Sequence, residues 1–359
     1  MTSVSGVDAV VLVGGKGTRL RPLTLSAPKP MLPTAGAPFL SHLLSRISDA
    51  GITHVVLGTS YRAEVFRDYF GDGSAMGLEL DYVVEEEPLD TGGAIRNVAD
   101  RLRADDAVIF NGDILSGADL GALVDTHRTA GADVTLHLQR VADPSRFGSV
   151  PTDGDGRVTA FLEKSAEAPT DQINAGCYVF RRRTIEKMPT GRPVSVERET
   201  FPGLLADGAH LQGYVDTSYW LDVGTPEAFV RGSADLVRGI APSSALPGPI
   251  GDRLVLEGAE VAGDADICEG SSVGPGATVG AGARVAGSVL FPDSQVADGA
   301  VVDRSVLGAG ARVGEGAVLR GVVLGDGAVV GSGCELLDGA RVWPRVTLPD
   351  RSIRFSSDA

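Results

Sequence analysis

Apolar and polar positions alternate in two different ways along the chain, and the first way covers residues 7–141. Short apolar runs there are separated by stretches with apolar residues three or four apart. Such runs suit strands buried on both faces, and the stretches between them suit helices that cover the sheet. The pattern predicts a doubly wound, Rossmann-like α/β sheet of parallel strands. We predict strands at 9–13, 54–58, 80–84, 107–111 and 133–140, and helices at 38–50, 63–70, 92–102 and 120–130.

This alternation weakens after residue 141. Extended segments are predicted at 148–150, 158–163 and 173–180, and helices at 198–207 and 226–238. We place the first domain at residues 1–240. The next residues, 241–253, are rich in Pro, Ser and Ala and predict a linker.

Beyond the linker, apolar residues recur six apart, with Gly and small residues between them. The positions are Val261, Ile267, Val273, Val279, Val285, and again Val296 and Val302. A longer period of 17 is superimposed, with units at 288–304, 305–321 and from 322 onward. Hexapeptide repeats with three short strands per coil form a triangular solenoid. Residues 254–359 are therefore predicted to form a left-handed parallel β-helix.

Composition narrows the possible functions. The 359 residues carry 47 acidic and 32 basic side chains, a formal charge of -15. Such a surface repels nucleic acids and anionic membranes, so we expect neither as a partner. A phosphate-binding site must therefore be a local cluster of basic side chains within an acidic protein.

The three cysteines, Cys177, Cys268 and Cys334, lie far apart and form no CxxC pair. They therefore predict neither a disulfide framework nor a zinc site. The first residues lack the basic start and apolar run of a signal peptide, and no run of about 18 apolar residues occurs. These features predict a cytoplasmic protein without a membrane span.

A glycine-rich basic segment follows the first predicted strand. Residues 9–48 contain no Asp or Glu, and their basic residues are Lys16, Arg19, Arg21, Lys29 and Arg46. Glycines let backbone N–H groups approach phosphate oxygens. The segment matches neither the P-loop nor the dinucleotide fingerprint. Taken alone, it fits a phosphate site or a tight turn with solvated basic side chains.

The full sequence of this segment resembles the signature of the sugar-1-phosphate nucleotidyltransferases. The matching residues are Gly14-Gly15-Lys16-Gly17-Thr18-Arg19-Leu20-Arg21-Pro22-Leu23-Thr24, followed by Pro28-Lys29-Pro30. Further motifs follow in the family's order. They are Phe110-Asn111-Gly112-Asp113, Phe161-Leu162-Glu163-Lys164, Ile173-Asn174-Ala175-Gly176 and Trp220-Leu221-Asp222-Val223-Gly224-Thr225-Pro226. The ordered series is specific and covers most of the first domain.

The resemblance implies attack of a sugar 1-phosphate on the α-phosphorus of a nucleoside triphosphate, which gives a nucleotide sugar and pyrophosphate. Two anions must meet, so catalysis depends on positioning and electrostatic stabilisation. By resemblance, Arg19 and Lys29 are the catalytic cations. The implied nucleotide-binding residues are Leu12, Gly14, Gly15, Gly17, Thr18, Glu85 and Gly92.

Two carboxylates, Asp113 and Asp222, each end an apolar run, and the resemblance implies that they hold Mg²⁺. A single Asp at such a position would otherwise fit a helix cap. The residues implied to bind the sugar phosphate are Gly148, Glu163, Lys164 and Asn174. The family usually has Pro after the Glu-Lys pair, whereas Ser165 stands here.

Within the family, the chain length, the 17-residue coils and the acidic run 85–87 most resemble mannose-1-phosphate guanylyltransferases. GTP and mannose 1-phosphate are therefore the expected substrates, with a carboxylate of the acidic run pairing with guanine. The alternatives are a thymidylyl-, adenylyl- or uridylyltransferase for glucose 1-phosphate and an inactive regulatory subunit that senses nucleotide sugars.

The β-helix is not expected to transfer acyl groups. Hexapeptide acyltransferases usually rely on a histidine base, and all five histidines precede the repeats. Stacked coils offer flat faces to a second copy, so we expect a homo-oligomer formed through the β-helix.

Overall fold

The computed structural model describes residues 4–59, 62–163 and 169–354, without the side chain of Glu163. Lys164, predicted to bind the sugar phosphate, lies outside the described residues. The structure consists of two compact units. One comprises Met1–Gly15 with Leu44–Trp220, and the other comprises Lys16–Leu43 with Leu221–Ala359.

Strands and helices alternate up to residue 237. The strands are β1 (Val7–Leu12), β2 (Pro33–Thr34), β3 (Ala37–Pro38), β4 (His54–Thr59), β5 (Glu79–Val84), β6 (Asp106–Asn111), β7 (Ile114–Ser116), β8 (Val134–Arg140), β9 (Gly148–Ser149), β10 (Leu162–Glu163), β11 (Gln172–Arg181), β12 (Leu211–Asp216) and β13 (Trp220–Asp222). The helices are α1 (Phe39–Asp49), α2 (Ala63–Phe70), α3 (Asp90–Asn97), α4 (Leu120–Ala130), α5 (Arg182–Glu186), α6 (Phe201–Ala206) and α7 (Pro226–Val237).

Helix α4 shows why the local sequence predicts these elements well. The Asp119 side chain accepts a hydrogen bond from the Ala122 N–H and caps the first turn. At the other end Gly131 adopts the left-handed conformation that ends many helices. Its observed bounds are therefore the predicted ones. Helix α7 likewise begins at a Thr225 cap followed by Pro226.

The main sheet has nine strands and confirms the α/β prediction, but its strands are not all parallel. Its order is β10-β9-β11-β6-β1-β4-β5, with β8 paired to β11 and β12 to β8. Strands β4, β1 and β6 pair in parallel, whereas β11 runs antiparallel to both β6 and β8. Antiparallel neighbours need no crossover helix, and the sequence between β8 and β11 predicts none.

The core of this unit lies between the sheet and its helices. Val10, Ile109, Tyr178 and Phe201 are fully or almost fully buried in one cluster. A π-helical turn at Val196–Thr200 leads into α6, so the predicted helix at 198–207 begins irregularly. The sequence pattern does not predict strands β2, β3, β7, β12 and β13 or helix α5.

In the second unit, short parallel strands stack in three columns. The strands are β14 (Arg253–Val255), β15 (Glu260–Val261), β16 (Asp266–Cys268), β17 (Ser271–Val273), β18 (Thr278–Val279), β19 (Arg284–Ala286), β20 (Val289–Leu290), β21 (Gln295–Val296), β22 (Val301–Asp303), β23 (Val306–Leu307), β24 (Arg312–Val313), β25 (Val318–Arg320), β26 (Val323–Leu324), β27 (Val329–Val330), β28 (Glu335–Leu336), β29 (Arg341–Val342) and β30 (Thr347–Leu348). The columns contain six, six and five strands. These features agree with the predicted left-handed β-helix.

The hexapeptide positions supply the interior of the β-helix. Ile267, Val273, Val285 and Val302 lie in one buried cluster, at 4% exposure or less. In the register of successive coils, Val285 pairs with Val302, a step of 17 residues. Each coil thus places its branched side chain above that of the coil before.

Buried serines form a ladder that the apolar period does not predict. The Ser271 hydroxyl accepts a hydrogen bond from the Ser288 N–H, and the Ser288 hydroxyl accepts one from the Ser305 N–H. The Ser305 hydroxyl accepts from the Val322 N–H, and each of the three contacts measures 3.0 Å. A buried hydroxyl is tolerated when it is hydrogen-bonded, so the ladder satisfies backbone groups at a corner of the coils.

No helix within the described ranges is long and apolar enough to cross a membrane.

Candidate active site

The motif at the end of β6 packs against the end of β1. The Gly112 N–H donates to the Leu12 carbonyl at 2.9 Å. A Cβ at Gly112 would lie 2.6 Å from that carbonyl oxygen, so only glycine fits without a shift. This contact holds Asp113 beside the chain that leaves β1 at Val13 and Gly14. Asp113 is half-buried, and the carboxyl ends of parallel strands are where α/β sheets bind ligands.

The motif at residues 173–176 packs on the same end of β6. Gly176 has φ +73°, and a Cβ there would lie 2.8 Å from the Asn111 side-chain nitrogen. The indole N–H of Trp220 donates to the Ala175 carbonyl at 3.0 Å. The end of β6, the bulged part of β11 and Trp220 therefore meet within this unit.

Three strands bring predicted sugar-binding residues together. Gly148 on β9 pairs with Glu163 on β10, and Ser149 pairs with Ile173, the neighbour of Asn174 on β11. The Asn174 amide oxygen accepts from the Gly176 N–H at 3.1 Å, and its nitrogen donates to the Tyr178 hydroxyl at 2.8 Å. These bonds fix the orientation of the Asn174 side chain on β11, an interior strand of the sheet.

In the second unit, residues 16–31, here called the basic loop, form a series of 3₁₀ turns. The turns are Thr18–Leu20, Leu23–Leu25 and Lys29–Met31. Gly17 precedes the first with φ +55°, and the Thr24 hydroxyl donates to the Gly17 carbonyl at 2.9 Å.

Gly17 also allows the two halves of the basic loop to approach. A Cβ at Gly17 would lie 3.0 Å from the Thr24 methyl and 3.1 Å from Lys29 Cβ. The side chain that follows Pro28 is thereby held close to the turn that carries Arg19. Lys16 and Arg19 are exposed, so their charges are available to an anion.

Arg19 lies against the motif that follows β13. A Cβ at Gly224 would lie 2.7 Å from an Arg19 terminal nitrogen and 2.9 Å from its guanidinium carbon. The absence of a side chain at Gly224 leaves room for this cation two residues beyond Asp222. Within this unit, the predicted catalytic Arg19 and the predicted metal ligand Asp222 thus belong to adjoining segments.

Glu85 comes directly after β5 and is 8% exposed. Its carboxylate accepts a hydrogen bond from the Leu89 N–H at 3.3 Å. Burial raises the pKa of the Glu85 carboxyl, and the nearby charge of Asp90 adds to the rise. The same carboxyl lines an open cleft with Gly93 and Arg96.

The glycines at the start of α3 pack against another part of the same unit. The Gly92 and Gly93 N–H groups donate to the Val194 carbonyl at 2.7 and 3.1 Å. A Cβ at Gly92 would lie 2.9 Å from that oxygen. Close helix packing thus accounts for Gly92, and its contact with a nucleotide stays a prediction.

The two candidate metal ligands supply hard carboxylate oxygens, and both are half-buried. Throughout the described ranges, no group of three or more His, Cys, Asp or Glu side chains forms a ready metal cage. Mg²⁺ is typically held by one or two carboxylates together with water and substrate phosphates. Carboxylate oxygens are hard ligands, so each of these two residues is chemically suited to a hard divalent cation.

Sequence reasoning missed two residues that hold site motifs in place. Trp220 is within a recognised motif, yet nothing in the sequence shows that its indole reaches Ala175. Arg341 donates hydrogen bonds to the carbonyls of Arg19 and Arg21. No local signal could have found it, because Arg312–Val313 has the same local pattern of an exposed Arg before a buried Val.

Two family models match the chain. The Nucleotidyl transferase model matches residues 8–239, and the GMPPB C-terminal domain model matches residues 249–357. Together they span both the α/β part and the β-helix.

Curated relatives resemble the chain over much of its length. It is 68% identical over 353 residues to the mannose-1-phosphate guanylyltransferase of Mycobacterium tuberculosis (strain ATCC 25618 / H37Rv), an alignment covering 98% of each chain. It is 34% identical over 289 residues to mannose-1-phosphate guanylyltransferase catalytic subunit beta of Drosophila pseudoobscura pseudoobscura, covering 78% of this chain and 72% of the relative.

Among solved structures, HddC from Yersinia pseudotuberculosis is similar, with a TM-score of 0.57 and 30% sequence identity. The similarity covers 64% of this chain and 99% of HddC. A structure of HddC complexed with GMP-PN matches with the same values.

Proposed function

Because the chain belongs to the nucleotidyl transferase family, we propose that it transfers GMP from GTP to mannose 1-phosphate and releases pyrophosphate. The observation that carries this proposal is the 68% identity to a mannose-1-phosphate guanylyltransferase over 98% of both chains. The aligned region includes the β-helix, so the similarity is not confined to the general nucleotide-binding fold.

In the proposed reaction, an oxygen of the sugar phosphate forms a bond to the α-phosphorus of GTP. The bond between the α-phosphorus and the bridging oxygen breaks, and pyrophosphate leaves with that electron pair. Arg19 binds phosphate oxygens through two N–H groups of its planar guanidinium, and the Lys29 ammonium places a positive charge beside the same phosphate groups. Their main role is to offset repulsion between the two substrates and the charge that develops on pyrophosphate.

The nucleotide phosphates are proposed to lie on the basic loop and the glycines before it. Gly14 and Gly15 are exposed, and Gly15 has φ +102°, a backbone conformation that glycine adopts readily. Asp113 and Asp222 would hold Mg²⁺. When bound, Mg²⁺ neutralises phosphate charge and orients the reacting groups.

Glu85 is proposed to recognise the base. A carboxylate can accept hydrogen bonds from the N1–H and amino group of guanine, which adenine does not present in that arrangement. Its fixed place after β5 and its hydrogen bond from Leu89 orient the group. The sugar would contact Gly148, Glu163 and Asn174, with Lys164 gripping the sugar phosphate as the resemblance implies.

The test is pyrophosphate release, with Mg²⁺, across four nucleoside triphosphates and mannose, glucose and N-acetylglucosamine 1-phosphates. We expect fast release with GTP and mannose 1-phosphate and little with the other pairs. A preference for another pair would replace the substrates. No release from any pair would favour a regulatory subunit, and an Arg19→Ala protein with full turnover would contradict the role of Arg19.

We propose in addition that the β-helix mediates self-association. Its stacked coils give flat outer faces of the kind that repeat proteins use for binding. Light scattering of the purified chain should report a mass above the 37.0 kDa of one copy, and a monomer at micromolar concentration would contradict this proposal.

A further inference from the structure

One arginine of the β-helix reaches the backbone of the basic loop. Nη1 of Arg341 donates to the Arg19 carbonyl at 2.8 Å and to the Arg21 carbonyl at 2.9 Å. An Nη atom carries two hydrogens, one for each acceptor. These bonds join residues 322 and 320 positions apart in sequence, within the same compact unit.

The position of Arg341 in its column is unusual. Along one face, successive coils align Val289 with Val306, Val306 with Val323, and Val323 with Arg341. The three valines point away from the interior cluster and are still buried, at 2%, 0% and 3% exposure. The column thus changes from buried valine to an exposed arginine at the coil that meets the basic loop.

The two carbonyls belong to the turn that carries the predicted catalytic cation. The Thr18–Leu20 turn is closed by the Leu20 N–H on the Gly17 carbonyl and the Arg21 N–H on the Thr18 carbonyl. Arg341 binds the carbonyls of Arg19 and Arg21 from outside that turn. The backbone on both sides of the Arg19 side chain is therefore fixed.

We propose that Arg341 is a positioning residue, through which the β-helix holds the backbone of the basic loop in place. It acts through the backbone of Arg19 and touches no substrate itself. The inference rests on the proposed function, because the role of Arg19 belongs to that reaction. A misplacement of about 1 Å at a reacting centre can cost on the order of a hundredfold in rate, so two charge-assisted bonds on this turn can matter for kcat.

The test compares three variants of the full chain. Arg341→Met keeps much of the side-chain length and removes the donors, whereas Arg341→Lys keeps a charged donor group. The matched control is Arg312→Met, because Arg312-Val313 has the same sequence pattern on another face and Arg312 is exposed. Thermal unfolding should be similar for all three.

The first measurement is hydrogen exchange of the Leu20 and Arg21 amides, which needs no substrate. We expect exchange about fivefold faster or more in Arg341→Met and unchanged in Arg312→Met. The second is kcat and KM. We expect kcat about tenfold to a hundredfold lower in Arg341→Met, less change in KM for mannose 1-phosphate, and most of the loss restored by Lys.

Equal exchange and equal kcat in Arg341→Met and Arg312→Met would overturn the proposal. Faster exchange with unchanged kcat would overturn the link to catalysis. A wild-type chain inactive with every substrate pair would instead reject the proposed function. In that case, the exchange comparison alone would decide whether Arg341 holds the loop.

Discussion

Replacing Gly224 with alanine should move Arg19, the proposed catalytic arginine, while leaving the fold intact. The added Cβ would lie 2.7 Å from a terminal nitrogen of Arg19, whereas ordinary contact begins at 3.4 Å. The guanidinium must therefore withdraw by about 0.7 Å. It stands at the end of a flexible side chain, so the withdrawal costs little free energy.

The expected effect on turnover follows from the proposed role of Arg19. A displacement approaching 1 Å at a positioned group costs on the order of tenfold to a hundredfold in rate, which is about 1.4–2.7 kcal/mol of transition-state stabilisation. Gly224 does not have a positive φ, so alanine adds no backbone strain to the folded state. Alanine also reduces the conformational freedom of the unfolded chain. The free energy of unfolding should stay level or rise by about 0.5 kcal/mol.

The assay is steady-state pyrophosphate release with saturating GTP and mannose 1-phosphate, together with a thermal unfolding curve. The matched control is Gly263→Ala, because a Cβ at Gly263 meets no atom within 4 Å. If Gly224→Ala kept the kcat of this control, the assignment of Arg19 as a positioned catalytic cation would be refuted. A large fall in melting temperature would refute the claim that the guanidinium yields easily.

Three further predictions follow. Gly112→Ala should lower the free energy of unfolding by about 1–3 kcal/mol, because the added Cβ would lie 2.6 Å from the Leu12 carbonyl oxygen. Urea denaturation measures this change, and the control is Gly154→Ala, whose Cβ would meet no neighbour within 4 Å. Burial lowers the pKa of His137 to about 4 from its ordinary 6.5. As pH falls from 6.5 to about 4, the unfolded chain therefore binds a proton before the folded chain does, and the free energy of unfolding decreases. His137→Phe should flatten this fall, by up to about 3 kcal/mol, and an unchanged pH profile of denaturant midpoints would contradict it. Glu85→Gln should reduce the preference for GTP over ATP by about tenfold or more, measured as a ratio of kcat/KM, and an unchanged ratio would rule out the carboxylate as the base contact.

The sequence by itself determined most of the helices and strands and the family of the chain. Helix α2 begins and ends where its apolar spacing predicts, and the six-residue period places Val285 and Val302 inside the β-helix. These features depend on side chains close together in sequence, where periodicity and glycine have local meaning. The ordered motifs identified the family for the same reason, since each is a short run with its own backbone requirement.

Only the tertiary structure decided which distant segments meet. It placed antiparallel β11 between β6 and β8, and it set the Gly92 amide on the Val194 carbonyl. It also laid Arg19 against Gly224 and brought Arg341 to the carbonyl of Arg19. Such contacts depend on sheet order and on how coils stack, which no local pattern encodes. The residues that hold the site in place therefore became visible only in the folded chain.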